Sequence, residues 1–274
     1  MMHNSREACR AFRKHAAWVW EAMDDAYSIP IGLNEETLTE MLLLKLARQF
    51  RGRGIEVKSF TKYEEGTSYR GGAPTGADWE WRFEGPSGLG KTVRIQAKRL
   101  YMRDGNYGGL DGIGQQRKTL VSSSGAAIPL YVLYNGPSPG LLKGGRMAGF
   151  PWLHPHGPKF CYWPYWDLEL WGCAIAAEPF VPKIKQPAPS DFPKMEPWHV
   201  LVCNCDEAEP TDFGMIVSKN LERIYDVSRV GTSSELNFEP DEERPWWVAS
   251  LMDSQPLDEM PEGLQGVAII RQID

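Results

Sequence analysis

The segment DWEWRFEGPSGLGKTVRIQAKRLY, residues 78–101, constrains the fold more than any other stretch of this chain. In its second arm Val93, Ile95 and Ala97 fall on one side, and Arg94, Gln96 and Lys98 on the other. A repeat of two belongs to a pleated strand and cannot be a helix, whose repeat is 3.6. The arms 78–84 and 92–101 flank GPSGLGK, a run of turn residues. Alternation on both sides of such a run predicts an antiparallel hairpin.

Part of the hairpin also spells a different device. GPSGLGKT, residues 85–92, matches the phosphate-loop pattern GxxxxGK[ST], and VLVCNCDE further on mimics the acidic strand that accompanies it. That loop works only between a strand and a helix, because the helix N-terminus and a nest of backbone N–H groups hold the phosphates. Here the lysine and threonine lead into a strand pattern. A P-loop NTPase therefore stays as the last alternative, behind a glycine-rich hairpin turn.

Folded as a hairpin, the segment becomes a candidate site. Asp78 opens the first arm, and Gln96 and Lys98 share a face near the end of the second. A carboxylate, a side-chain carbonyl and an ammonium are thus expected at one end of a two-stranded ribbon. Mg²⁺ takes hard oxygen ligands and accepts one or two carboxylates with waters and phosphate. Asp78, the Gln96 carbonyl and the Ala97 backbone carbonyl suit it, while Lys98 could orient or deprotonate a water or face phosphate charge. Placing residues 34–50 on a helical wheel sets Glu36, and with it Glu40, on or beside the apolar side of Leu43, Ala47 and Phe50. A carboxylate there needs a partner such as a metal or Lys98; the alternative is a first-turn glutamate serving the helix dipole.

Around this hairpin the pattern is mixed. Residues 5–26 read as a helix, as does the segment following Asn34, a good N-cap, up to Gly52. Strands are expected at 55–63 and 129–135, a helix at 110–123, and a loop at 66–76. Further on, 166–182 reads as starting with a short helix, 183–196 as a linker, 198–206 as a strand, and MIVSKNLERIYDVS as a helix; PDEERPWW and GVAIIRQID read as short elements. The expected class is α/β, an α+β mixed sheet. Its division is a helical segment 1–33, a core 34–182, and an extension 183–274 packed on or after that core.

Net charge is −6, yet residues 41–120 carry 15 Lys+Arg against 8 Asp+Glu, while 201–274 carry 5 against 16. A basic block on an acidic chain is a candidate phosphate-facing surface, or simply a solvated face. Five cysteines, an odd number in a long chain, make a disulfide framework the poorer expectation and a reducing cytoplasm the better one. No apolar run approaches the ~18 residues that span a bilayer. Cys161, Cys173, Cys203 and Cys205 with His154 and His156 fit zinc spacing badly. The aromatic cluster 160–166 and Trp246–Trp247 suit core packing or base stacking.

DWEWRFE and RIQAKRL, following an E-x-x-T-x-x-L-L helix, together resemble the PD-(D/E)XK, or restriction-endonuclease-like, superfamily in its Mrr-like D…QxK variant. The chain is also similar to an uncharacterised bacterial family sharing GADWEW, QAKRLY, IPLYVLYN and WGCAIAA. The likeness spans roughly residues 34–180 and implies an αβββαβ core with metal-dependent phosphodiesterase chemistry. It would give metal-ligand positions to Asp78 and Gln96, the catalytic lysine to Lys98, an acidic helix position to Glu36, and a supporting polar position to Gln116. Glu40 and Arg99 are candidate supporting residues. The expected function is a Mg²⁺- or Mn²⁺-dependent nuclease acting on DNA, as in bacterial anti-phage defence, with a second copy or a partner subunit as possible company. The alternative is a nuclease-like binding or scaffold module that does not cut. Two departures stand out: no proline precedes Asp78, and Gln96 replaces the usual carboxylate.

Overall fold

The structure is a computed structural model that describes residues 3–61, 77–110, 114–138, 168–204, 212–226, 236–254, 257, 260–261 and 264–273. The expected loop 66–76 lies outside these residues, as do His154, His156, Cys161, the aromatic cluster 160–166 and Cys205.

Helix α1 (His3–Ser28) and helix α2 (Glu35–Phe50) open the chain. Asn34 caps α2, its side-chain oxygen accepting the Thr37 N–H at 2.8 Å, as its position in the sequence predicts. The strands are β1 (Ile55–Thr61), β2 (Trp79–Glu84), β3 (Gly90–Tyr101), β4 (Asn106–Tyr107), β5 (Ile128–Tyr134), β6 (Cys173–Ala177), β7 (Glu196–Pro197) and β8 (Gly266–Gln272). Helices α3 (Gln115–Ser123), α4 (Phe213–Tyr225) and α5 (Trp246–Met252) complete the elements used below. The fold is a mixed α/β one, with a sheet of parallel and antiparallel pairs flanked by helices.

The sheet order is β1-β8-β2-β3-β5-β6-β7, with β4 added beside the end of β3. The expected hairpin is present: β2 and β3 pair antiparallel, with Trp79 opposite Ile95 and Glu84 opposite Gly90. Gly85 N–H donates to the Leu89 carbonyl at 2.9 Å, and Gly88 sits at φ +84°. That left-handed backbone is where glycine is needed.

Two expectations are corrected. β8 pairs antiparallel with β1 and parallel with β2, so residues 183–274 are not simply an extension; they supply an interior strand of the sheet, next to its edge. All of β8 except Arg271 is buried, as a strand covered on both faces must be. The segment 198–206 begins as a 3₁₀ turn, Trp198–Leu201, rather than a strand. The segment 166–182 starts with a short helix as expected, a 3₁₀ one at Leu168–Gly172, and then runs into β6.

The two faces of the central hairpin differ in chemistry. Trp81 and Phe83 meet Trp198 and Phe213, and Phe12 of α1 stacks at 4.2 Å on Trp198, whose indole N–H donates to the Phe12 carbonyl at 2.6 Å. Thr39 of α2 is hydrogen-bonded to Tyr134 on the same side at 2.6 Å. The opposite face carries Glu80, Arg82, Glu84, Thr92 and Gln96, all buried, and is covered by residues 239–244 and α5. No described helix is long and apolar enough to cross a membrane.

Candidate active site

β2 begins at Trp79, but its partner β3 runs on to Tyr101. Backbone N–H groups on that last stretch of β3 therefore lose their strand neighbour, and an unsatisfied buried N–H is costly. Two carboxylates take the vacant places. Asp78 Oδ2 accepts the Ala97 N–H at 2.8 Å, and Glu35 Oε1 accepts the Arg99 N–H at 3.3 Å. Asp78 is itself fixed by its backbone. Its N–H donates to Ile95 at 2.8 Å, and its carbonyl accepts the Gln265 N–H, just ahead of β8, at 2.8 Å.

The sequence-predicted trio comes together here. Gln96, fully buried, donates from Nε2 to Asp78 Oδ2 and to the Ala97 carbonyl at 3.2 Å. Its Oε1 accepts from Gln116 Nε2 at 2.6 Å, which brings this residue of α3 against the trio. Lys98 is half-buried on the same face of β3 and has no hydrogen bond or ion pair among the described residues. Burial pushes the Asp78 carboxyl up to about 6. The Lys98 charge and the Ala97 N–H pull it back, while the Glu35 and Glu36 carboxylates push it further up. Burial is thus the main cause, and the Lys98 ammonium outweighs either glutamate taken singly.

The helix carboxylate is where the sequence reading needs correcting. The buried stripe of α2 is Leu38, Thr39, Leu42, Leu43, Leu46 and Phe50. At ~100° per residue its centre lies near Glu35 and not near Glu36. Glu35 makes the hydrogen bond to β3; Glu36, also half-buried, acts on Asp78 through charge. Glu40 is exposed and off the buried face, contrary to expectation. Arg99 is half-buried, and its guanidinium stacks 4.6 Å from the centre of the Tyr101 ring. By strand alternation it leaves β3 on the face away from Lys98.

Sequence reasoning missed the residues that β5 and α3 bring alongside. β3 and β5 pair parallel with Gln96 beside Tyr131. Burial raises the Tyr131 phenol far above its ordinary range, and Glu178, Arg117 and Asp78 all act on it. Arg117, next to Gln116, is ion-paired with Glu178. No local pattern announces these neighbours, because a parallel pairing carries no turn signal.

The phosphate-loop lysine is otherwise employed. Lys91, 1% exposed, donates to the Glu239 carbonyl at 2.8 Å and to Asp241 at 3.2 Å, and a strand follows it instead of a helix. The nest that would bind phosphate is therefore absent from residues 85–92.

For a divalent cation the donors available are the Asp78 and Glu35 carboxylates, the Gln96 side-chain oxygen and the Ala97 carbonyl. No group of three His, Cys, Asp or Glu able to hold a metal exists among the described residues. The donor set suits Mg²⁺ or Mn²⁺, which keep several waters, better than a caged structural metal. The amide of Gln96 turns its N–H₂ to Asp78 here; to offer its oxygen it must turn over, and Gln116 with it.

The chain belongs to DUF6615, a family of unknown function, whose profile matches residues 8–274. Comparison with curated proteins and with solved structures gives no match.

Proposed function

We propose that this DUF6615 member is a metal-dependent nuclease, cutting phosphodiester bonds of DNA with Mg²⁺ or Mn²⁺ held at the open end of β3. One observation carries the reading: Asp78, Glu35, Gln96 and Lys98 converge where β3 outruns β2, with Asp78 pushed up to about 6 by burial and neighbouring carboxylates. A buried carboxylate of this kind is stabilised in its charged form by a bound cation. The resemblance to the D…QxK pattern points the same way.

In this reading Asp78 and Glu35 hold the metal, with the Gln96 and Ala97 oxygens as further donors. Once bound, the metal would polarise a phosphoryl oxygen and acidify a water. Lys98, the half-buried cation on that face, orients the attacking water or faces the phosphate. Gln116 fixes the rotation of the Gln96 amide. The basic balance of residues 41–120 supports a polyanionic substrate.

A second reading, a binding module that does not cut, draws on one observation. The Gln96 amide already occupies Asp78 as a donor, which leaves the site closed without metal. Plasmid cleavage with Mg²⁺ and Mn²⁺ separates the two. Wild-type cutting that Asp78→Ala and Lys98→Ala abolish supports the nuclease. Cutting unchanged in both variants removes the site assignment. No cutting, with DNA binding indifferent to Lys98→Ala, supports the module.

A further inference from the structure

Away from the candidate active site, Cys9 of α1 and Cys203, two residues after the 3₁₀ turn Trp198–Leu201, place their sulfurs 2.9 Å apart. The two residues are 194 positions apart in the chain, so tertiary packing alone brings them together. The distance is shorter than ordinary contact between non-bonded sulfurs and longer than the ~2.05 Å of a disulfide. The pair is held as thiols.

The scaffold around the pair is stiff. Three residues beyond Cys9, the Phe12 ring stacks on Trp198 and the Phe12 carbonyl accepts the Trp198 indole N–H. On the other side Asn220 of α4 donates from Nδ2 to the Leu201 carbonyl at 3.0 Å and to the Cys203 carbonyl at 3.1 Å. Two elements are thus docked by contacts that do not involve sulfur, and they hold the two sulfurs side by side. Burial differs between them: Cys9 is buried and Cys203 partly exposed. An oxidant in solution meets Cys203 first, with Cys9 in place to resolve the product.

We propose that Cys9 and Cys203 form a reversible, redox-controlled cross-link that fastens α1 to the segment carrying Trp198. With a peroxide as oxidant, the Cys203 thiolate attacks one peroxide oxygen and the O–O bond breaks, giving a sulfenic acid and one water. The Cys9 sulfur then attacks the sulfenic sulfur and expels the second water. Two thiols lose two electrons and two protons; the peroxide is reduced to two waters. A thiol such as glutathione returns the pair to the reduced state by exchange. Bridges of this sort in a reducing compartment are characteristically transient and sensing.

The test uses the full chain, purified reduced and treated with a small excess of hydrogen peroxide. Titration of thiols in denaturant should fall by two groups, and non-reducing peptide mapping should yield one species joining the peptides of Cys9 and Cys203. Since the bridge closes a long loop, the oxidised protein should melt roughly 10 °C higher, reversed by dithiothreitol. Cys203→Ser should abolish both changes, and Cys173→Ser neither. Should Cys203→Ser fail to fold, Cys9→Ala replaces it. Three results overturn the proposal: a bridge to Cys161 or Cys205 in place of Cys9, oxidation of Cys203 to sulfinic acid with no bridge, or stoichiometric zinc that shields both thiols in the protein as purified.

Discussion

The two ends of one hairpin treat buried charge in opposite ways. At the turn end Arg82, Glu84 and Lys91 are almost wholly buried, and every charge finds its complement. Arg82 bonds Glu84 at 3.2 Å and Asp241 at 3.0 Å, Lys91 bonds Asp241 at 3.2 Å, and Arg244 grips Glu84 with two contacts of 2.8 Å. At the open end Asp78 and Glu35 face one half-buried lysine that pairs with neither among the described residues. A closed cluster holds segments together and leaves nothing for a ligand. An under-neutralised one keeps binding capacity in reserve. Lys91 and Lys98 are thus both strand lysines of one hairpin, yet only the second is available for chemistry.

The sharpest way to break this comparison is to exchange the consequences of losing a lysine. If the open end is catalytic, Lys98→Ala lowers metal-dependent plasmid cleavage by on the order of 10³-fold while the melting temperature barely moves. Next in size is Arg82→Ala at the closed end. It removes one of the two cations bonded to Glu84 and one of the two bonded to Asp241, and should cost about 3–5 kcal/mol in urea unfolding. An Arg82→Ala protein as stable as wild type would show that the turn-end cluster is not a structural unit.

Acid sharpens the comparison, provided another buried group is silenced first. Burial lowers His15 from 6.5 to about 4, with the Lys14 and Lys45 charges adding to the effect. Its folded value lies below its unfolded one, so its stabilising contribution is whole above pH 6.5. That contribution is lost as pH falls towards 4 and amounts to at most about 3 kcal/mol. His15→Gln should flatten stability across that window in urea titrations. Asp78 has the opposite sign: its folded value, about 6, exceeds the unfolded 3.8. Its ionisation therefore burdens the metal-free fold above pH 6, and the burden disappears below about 4. In the His15→Gln background, Asp78→Asn should be the more stable protein at pH 7 and not at pH 4.

The smallest expected effect falls on the amide. Gln96→Glu adds a charge beside Asp78 and removes the donor, which should destabilise the metal-free protein by roughly 1–2 kcal/mol. Addition of Mn²⁺ should then raise the melting temperature more than it does for wild type. Equal shifts in both proteins would place the metal elsewhere.

How much of this could be read in the sequence follows from how local each signal is. The hairpin, its turn and the Asn34 cap depend on residues within a few positions of one another, and all three are present. The trio follows because strand alternation sets faces without tertiary knowledge. The choice between Glu35 and Glu36 depends on the phase of one helix. Centring it on Leu43, Ala47 and Phe50 rather than on Leu38, Leu42 and Leu46 turns it by about one residue. The place of GVAIIRQ could not be read at all: an apolar run identifies a strand but not its neighbours. The Trp198 segment misleads for a related reason, since buried apolar residues in a 3₁₀ turn look like those of a strand.

The insertion of β8 between β1 and β2 has a consequence for timing. As the chain leaves the ribosome, β1, β2 and β3 emerge long before the strand that must lie between the first two. Until Gln265 and Gly266 arrive to donate their N–H groups to the Asp78 carbonyl, the backbone of this pivotal residue is anchored only by its own N–H to Ile95. A nascent or prematurely ended polypeptide is thus denied the assembled centre. For a protein proposed to cut DNA, that is a safeguard written into the order of synthesis.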